Sequence, residues 1–291
     1  GPDAQRIAYD ELPPRFASPD LQRALGHTRL SIIDINARSD QPFQLAQHKL
    51  VYNGEVYNFR ELAASIRAEG VRFDTEGDTE ILLRLLMRDG VDGLRKVNGM
   101  WAFCWFDDAR RTLIAARDRY GKKPLFYAMT NEAICFASEI GALMTALGRK
   151  PQAAPGAIAT FLREGWLFPR ADGATHIEAV REVRPGHCVE IDLDRWRLSE
   201  RPICPFDDHI GSFESPPLDE LVADAVEARL VADRKVGLLL SGGVDSSLIF
   251  SVLAKRGLID QVVCITGDAG KSDDALYARR CLDAVGRSAL E

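Results

Sequence analysis

No stretch of the 291 residues approaches the roughly 18 consecutive apolar residues that a membrane-spanning helix needs, so the sequence reads against a membrane role. Positive charge is also short. The 37 Lys and Arg fall below the 43 Asp and Glu, leaving a net charge of -6, which argues against the phosphate-neutralising surface of a nucleic-acid binder. Small molecules are the expected partners. Cysteine is sparse and scattered: Cys104, Cys135, Cys188, Cys204, Cys264 and Cys281 contain no C-x-x-C pair. In a chain this long that spacing argues against a disulfide framework or a structural zinc site and points to free thiols in a reducing, cytoplasmic compartment. His27 and His187 have no carboxylate or second histidine at ligand spacing, so both read as structural. There is no internal repeat or low-complexity tract, and Gly1-Pro2-Asp3 is neither a signal nor a transit peptide.

What is present is enough sequence for two domains, each able to bury its own core. Residues 25–36 and 49–57 read as strands, with Asn53-Gly54 expected to form a tight turn. Helical spacing runs from Asn58 to Glu69 and from Asp78 to Arg88, with Gly70 and Gly90 placed as stops. Strand-like runs follow at Met100 to Phe106, Thr112 to Ala116, Lys123 to Ala128 and Ala133 to Ala137. Residues 151–190 read as loop-rich, ahead of a strand from Cys188 to Leu193. The Pro-, Asp- and Ser-rich stretch from Arg201 to Pro217 marks a boundary. After it the pattern alternates: a helix from Leu218 to Ala232, a strand from Val236 to Leu240, a helix from Ser246 to Lys255 and a strand from Gln261 to Thr266. That alternation is the start of a doubly wound parallel sheet. The expected fold is therefore α+β over residues 1–205 and α/β over residues 206–291.

The most specific local signal is Ser241-Gly242-Gly243-Val244-Asp245-Ser246-Ser247, set between an apolar strand and an apolar helix. Glycines let the backbone approach an anion, serine hydroxyls donate to it, and the amides at a helix start point toward it. Asp245 could hold Mg²⁺ beside a pyrophosphate. The segment resembles the pyrophosphate loop of ATP pyrophosphatases. A nearby Gly270-Lys271-Ser272 looks like the end of a Walker A loop, but Ile265 stands where that motif needs a glycine.

Beside that loop, RLSIID (29–34), YNGEVYN (52–58), Gly77-Asp78, GMWAF (99–103), RDRYGKKPLFY (117–127) and ASEI (137–140) resemble, in order, the glutaminase domain of the asparagine synthetase family. The resemblance covers nearly the whole chain. It implies a class II amidotransferase domain, an αββα sandwich of the N-terminal-nucleophile hydrolase type, followed by a Rossmann-like pyrophosphate-loop domain. It further implies that glutamine hydrolysis supplies ammonia to an ATP-activated aspartate, giving asparagine, AMP and pyrophosphate. By family position Asn53 and Gly54 are the oxyanion donors, Arg29 takes the glutamine α-carboxylate, and Glu55 and Asp78 take its α-ammonium. Main-chain groups near Ile32 complete that pocket. ATP falls to Leu239, Ser241, Gly242, Gly243, Asp245, Ser246, Ser247 and Thr266, although the family more often has an aliphatic residue at the last position. ATP and Mg²⁺ are the implied cofactors, and a homodimer is left open.

The family's nucleophile is an N-terminal cysteine, and no cysteine lies near the start of this sequence. About 80 residues after Phe206 are also few for a nucleotide-binding domain, and the expected second ATP motif is missing. The sequence thus predicts a chain that begins and ends inside a longer one and has no glutaminase activity alone. Three rivals share the fold or the site: an amidotransferase acting on another carboxylate in polysaccharide or secondary metabolism, a cyclase resembling β-lactam synthetases, and a tRNA-modifying pyrophosphate-loop enzyme. A fourth is a non-catalytic regulatory module that would bind no ATP.

Overall fold

The computed structural model describes residues 3–11, 22–165, 172–203, 216–267 and 273–286. They group into two compact units: Gly1–Ser31 with Asn36–Ile210, and Ile32–Ile35 with Gly211–Glu291.

In the first unit a two-stranded antiparallel sheet pairs β1 (Ala4–Glu11) with β2 (Gln22–Arg29). Next come β3 (Phe43–Leu45), β4 (His48–Val56), α1 (Phe59–Arg67), α2 (Asp78–Asp89), β5 (Gly99–Asp107) and β6 (Thr112–Arg117). Then follow β7 (Phe126–Met129), β8 (Ile134–Ala137), α3 (Ile140–Ala146), α4 (Pro155–Glu164), β9 (Arg181–Glu182), β10 (His187–Asp192) and β11 (Arg197–Pro202). The main sheet has the order β11-β10-β6-β5-β4-β3, and a smaller one the order β8-β7-β9.

Alternation of side chains builds the layers. Ala102, Cys104, Ala115, Val189 and Ile191 of the large sheet meet Leu125, Tyr127 and Val183 around the small one, forming one buried cluster. The other face of the small sheet carries Ala128 and Val180 against Leu143 of α3. On the far side of the large sheet, α2 packs on β3 and β4 and against α1. Helix α1 presents Phe59, Leu62, Ala63 and Ile66 as one buried stripe at helical spacing. The layers are therefore helix, sheet, sheet, helix, the αββα sandwich expected. Central strand β5 is buried from Trp101 to Asp107, as a strand covered on both faces must be.

In the second unit α5 (Leu218–Glu227) precedes β12 (Val236–Leu239), α6 (Val244–Lys255), β13 (Val262–Ile265) and α7 (Asp274–Asp283). Strands β12 and β13 are parallel, from Val236 opposite Val262 to Leu239 opposite Ile265, with α6 as the crossover. Leu240, Phe250, Leu253, Val262, Cys264, Ala278 and Leu282 form its core.

Several sequence expectations need correction. Strand β2 stops at Arg29 rather than residue 36, because the backbone beyond it bonds elsewhere: Ser31 N–H donates to the Asp3 carboxylate, and Asp34 has a left-handed φ of 45°. Asn53-Gly54 is no turn but the middle of β4, paired with Ala102 and Trp101. The loop-rich reading of 151–190 missed α4, whose signals were Pro155 in the first turn and Gly165 just past the end. Helix α5 ends at Glu227, and α6 starts at Val244, two residues earlier than expected. Elements β1, β3, α3, β9, β11 and α7 were not read from the sequence. Cys204 and Gly270-Lys271-Ser272 lie outside the described residues.

Candidate active site

Strand β4 organises the first half of the site through its free edge. Gly54 lies opposite Trp101, whose N–H and C=O both turn to Asp118, so this is a non-hydrogen-bonded pair with close backbones. The N–H of Gly54 therefore points off the sheet, away from β5. Its absent side chain is a steric necessity: a Cβ there would lie 2.2 Å from the Met100 carbonyl oxygen and 2.7 Å from Trp101 Cα.

The same row of backbone groups is held by side chains from three other segments. Tyr52 N–H donates to Gln41 Oε1 at 2.6 Å. Tyr52 C=O accepts from His27 Nε2 at 3.0 Å, which fixes the proton on Nε2 because a carbonyl can only accept. Val56 N–H donates to Asp78 Oδ2 at 2.9 Å, and the Tyr52 hydroxyl donates to the same oxygen at 2.9 Å. Asn53, Gly54 and Glu55, the predicted oxyanion and ammonium groups, sit between these anchors. Gly77 precedes α2 and delivers Asp78 as its first residue, only 6% exposed.

Burial raises the Asp78 carboxyl above its ordinary 3.8, opposed by the bonds from Val56 and Tyr52 and by the positive charge of Arg29. Arg29 ends β2 and is itself buried. Its Nη1 donates to the Asn36 carbonyl at 3.0 Å and to Asp40 Oδ1 at 2.9 Å, while the other Asp40 oxygen meets Arg6 at 2.8 Å. Arg29, Asn53, Gly54, Glu55 and Asp78 thus belong to one unit. Ile32 groups with the second, where its carbonyl accepts from Asp233 N–H at 2.9 Å. His27 is structural in the sense expected, and burial lowers its pKa below 6.5. His187 bonds the Pro185 carbonyl at 2.8 Å. Sequence reasoning missed Gln41 and His27 as partners of this edge and the Tyr52 hydroxyl as a partner of Asp78, since nothing in their spacing reveals those contacts.

The second half is the loop from β12 to α6. Gly243 stands at the N-cap of α6 with no side chain capping it, so the first amides of the helix open toward solvent. Ser241 Oγ lies 3.1 Å from Ser246 Oγ, accepts from Gly243 N–H at 3.3 Å, and Ser246 Oγ donates to Gly243 C=O at 3.2 Å. This cross-bonded turn has the open helix-start amides and dipole that could receive an anion. Gly242 (φ 81°) passes so close to α7 that a Cβ would lie 2.3 Å from the Asp274 carbonyl oxygen. Asp245 is exposed in the first turn, where a carboxylate could reach a cation beside a bound phosphate. Ser247 Oγ accepts from Cys281 Sγ at 3.7 Å. Leu239 and Thr266 lie at the carboxyl ends of the two parallel strands, Leu239 exposed and Thr266 buried with its Oγ1 lacking a partner among the described residues.

Residues 1–201 match the family model for the glutamine amidotransferase domain, and residues 217–290 match that for asparagine synthase. The chain belongs to the glutamine-hydrolysing asparagine synthetase family. Asparagine synthetase [glutamine-hydrolyzing] 3 of Bacillus subtilis is 35% identical over 79% of this chain and 38% of its own length. A putative asparagine synthetase [glutamine-hydrolyzing] 2 of Methanocaldococcus jannaschii is 29% identical, over 89% of this chain and 54% of its own. Amidase chry2 of Gibberella zeae is 32% identical over 98% of this chain and 44% of its own. The chain thus spans about half or less of the length of these family members. Among the described residues no helix is long and apolar enough to cross a membrane. The five described cysteines are free, and burial pushes the Cys104 thiol up to about 12 and that of Cys188 to about 11.

Proposed function

We propose that residues 1–205 bind glutamine and residues 206–291 bind ATP in a cytoplasmic enzyme that makes asparagine from aspartate. The observation that carries this reading is the pairing of a glycine N–H on an open strand edge beside a buried carboxylate with a second-unit phosphate cradle. Arg29 takes the α-carboxylate of glutamine, and Asp78 with Glu55 takes its α-ammonium. The side-chain carbonyl then lies against Gly54 N–H and the Asn53 amide, which stabilise the oxyanion of the tetrahedral intermediate. The attacking thiol is not Cys104, the first cysteine of the chain, because that group is buried in β5 and protonated.

In the second unit the cradle from Ser241 to Ser247 holds the pyrophosphate of ATP, and Leu239 and Thr266 flank its adenine or ribose. Mg²⁺, held by Asp245, supplies charge neutralisation of the phosphates when bound. The aspartate β-carboxylate attacks the α-phosphorus and releases pyrophosphate. Ammonia from glutamine then displaces AMP from the acyl-adenylate, giving asparagine. The similarity to an amidase favours one second reading, the same chemistry on a different carboxylate. A cyclase with a dead glutaminase site fits less well, since it has no use for Arg29, Gly54 and Asp78 together.

The test is an assay of the full-length protein with glutamine, ATP and aspartate, expected to yield asparagine, AMP and pyrophosphate in equal amounts. Pyrophosphate release with another acid but not with aspartate would leave the second reading. No pyrophosphate release with any acceptor would sink both.

A further inference from the structure

Asp78 is a buried carboxylate whose hydrogen bonds all come from neutral donors. Val56 N–H and the Tyr52 hydroxyl both end on Oδ2, each at 2.9 Å, so Oδ1 receives no bond from β4. Arg29, the cation acting on it, is already ion-paired with Asp40 at 2.9 Å. Burying an ionised carboxylate with no cation hydrogen-bonded to it is costly, and protein interiors seldom leave one so. A directly bonded cation is what an α-ammonium group would supply.

Tyr52 is the residue that decides where this carboxylate points. Tyr52 is 3% exposed, and its backbone is pinned on both sides, by Gln41 through N–H and by His27 through C=O. A hydroxyl so fixed dictates the side-chain rotation of its acceptor. We propose that Tyr52 is a positioning residue for the amino-acid substrate: its hydroxyl holds Asp78 Oδ2 so that Oδ1 presents to the substrate α-ammonium. The assignment rests on the glutamine reading above and adds to it a role for the Tyr52 side chain. Desolvation raises the Tyr52 hydroxyl well above 10, so it remains a donor throughout the working range. The charged and titratable groups facing the pair are Arg29 and His27 from β2, Asp40 beside Arg29, Glu55 on β4 and Tyr57 just past its end.

The experiment is Tyr52→Phe in the full-length protein, with glutamine-driven and ammonia-driven synthesis measured side by side. Free ammonia bypasses the glutamine pocket, so it reports folding and the ATP half alone. The KM for glutamine should rise about tenfold, the scale of a hydrogen bond to a charged group, while kcat for glutamine hydrolysis changes little. Ammonia-driven synthesis should be unchanged. Because the lost bond favoured the ionised form of Asp78, the acid limb of kcat/KM for glutamine should move to higher pH. In the Tyr52→Phe, Asp78→Asn pair the double variant should bind glutamine no worse than Asp78→Asn alone. An unchanged KM and acid limb in Tyr52→Phe, or equal losses with glutamine and with ammonia, would overturn the role of Tyr52 while leaving the glutaminase assignment standing. A wild-type protein that does not hydrolyse glutamine overturns both.

Discussion

A Cβ at Gly54 would sit 2.2 Å from the Met100 carbonyl oxygen, a separation no rotamer change can relieve because both atoms belong to the backbone. Gly54→Ala must therefore push β4 off β5, and overpacking of this kind costs about 1–3 kcal/mol or more. Chemical unfolding should show that loss, and glutamine hydrolysis should fall by about 100-fold or more through displacement of the oxyanion donor. A variant with wild-type stability and turnover would contradict the pairing of Gly54 with Trp101. The motif that named Asn53-Gly54 was legible in the sequence, but its conformation was not. An Asn-Gly pair is the strongest short-range hairpin signal, and only pairing with a partner strand turns it into mid-strand residues. Asp89 gives a pH effect at the same scale. The Arg88 guanidinium, with help from Lys96, holds its carboxyl at about 2, below the ordinary 3.8. A depressed carboxyl contributes stability above 3.8 that is lost as pH falls through about 2. Asp89→Asn should melt below wild type at neutral pH, and that gap should close on acidification through this window.

At the scale of elements, the loop between β12 and α6 depends on its fit against α7. Gly242 has φ 81°, and an added Cβ would meet the Asp274 carbonyl oxygen at 2.3 Å. Gly242→Ala should open the cradle and abolish ATP binding, measured by calorimetry on the full-length protein, while glutamine hydrolysis survives. Loss of both activities together would mean that the loop is needed for more than nucleotide. The flanking elements β12, α6 and β13 were visible in advance because each pairs an apolar run with a clear stop. Helix α4 was missed despite Pro155 and Gly165, because the polar and turn-forming residues around it masked a single amphipathic stripe. Strand β1 was missed for a simpler reason: its few apolar residues make too short an alternation to read by themselves, and it exists by pairing with β2. Arg117 and Asp118 tie the turn that follows β6 to itself and, through Glu182, Val183 and Trp101, to more distant strands. Asp118 accepts from the N–H groups of Trp101, Tyr120, Lys122 and Lys123, and Arg117 donates to Lys123 C=O, Gly121 C=O, Val183 C=O and Glu182.

For the whole molecule, the sequence by itself determined the family, the order of its two matched regions and the residue types proposed for both halves of the site. Those follow from local rules: glycine where backbone must approach an anion or another strand, alternation for a half-buried strand, helical spacing for a buried stripe. Tertiary structure alone decided that Gly54 N–H faces off a strand edge, that Asp78 and Tyr52 share one hydrogen bond, and that Arg29 is held by Asp40. Each of these joins residues 11 to 47 positions apart, counting Arg29 to Asp40 as the shortest and Gly54 to Trp101 as the longest. No periodicity encodes such contacts, because what selects them is the free energy of burying a carboxylate and a guanidinium together beside the strand edge.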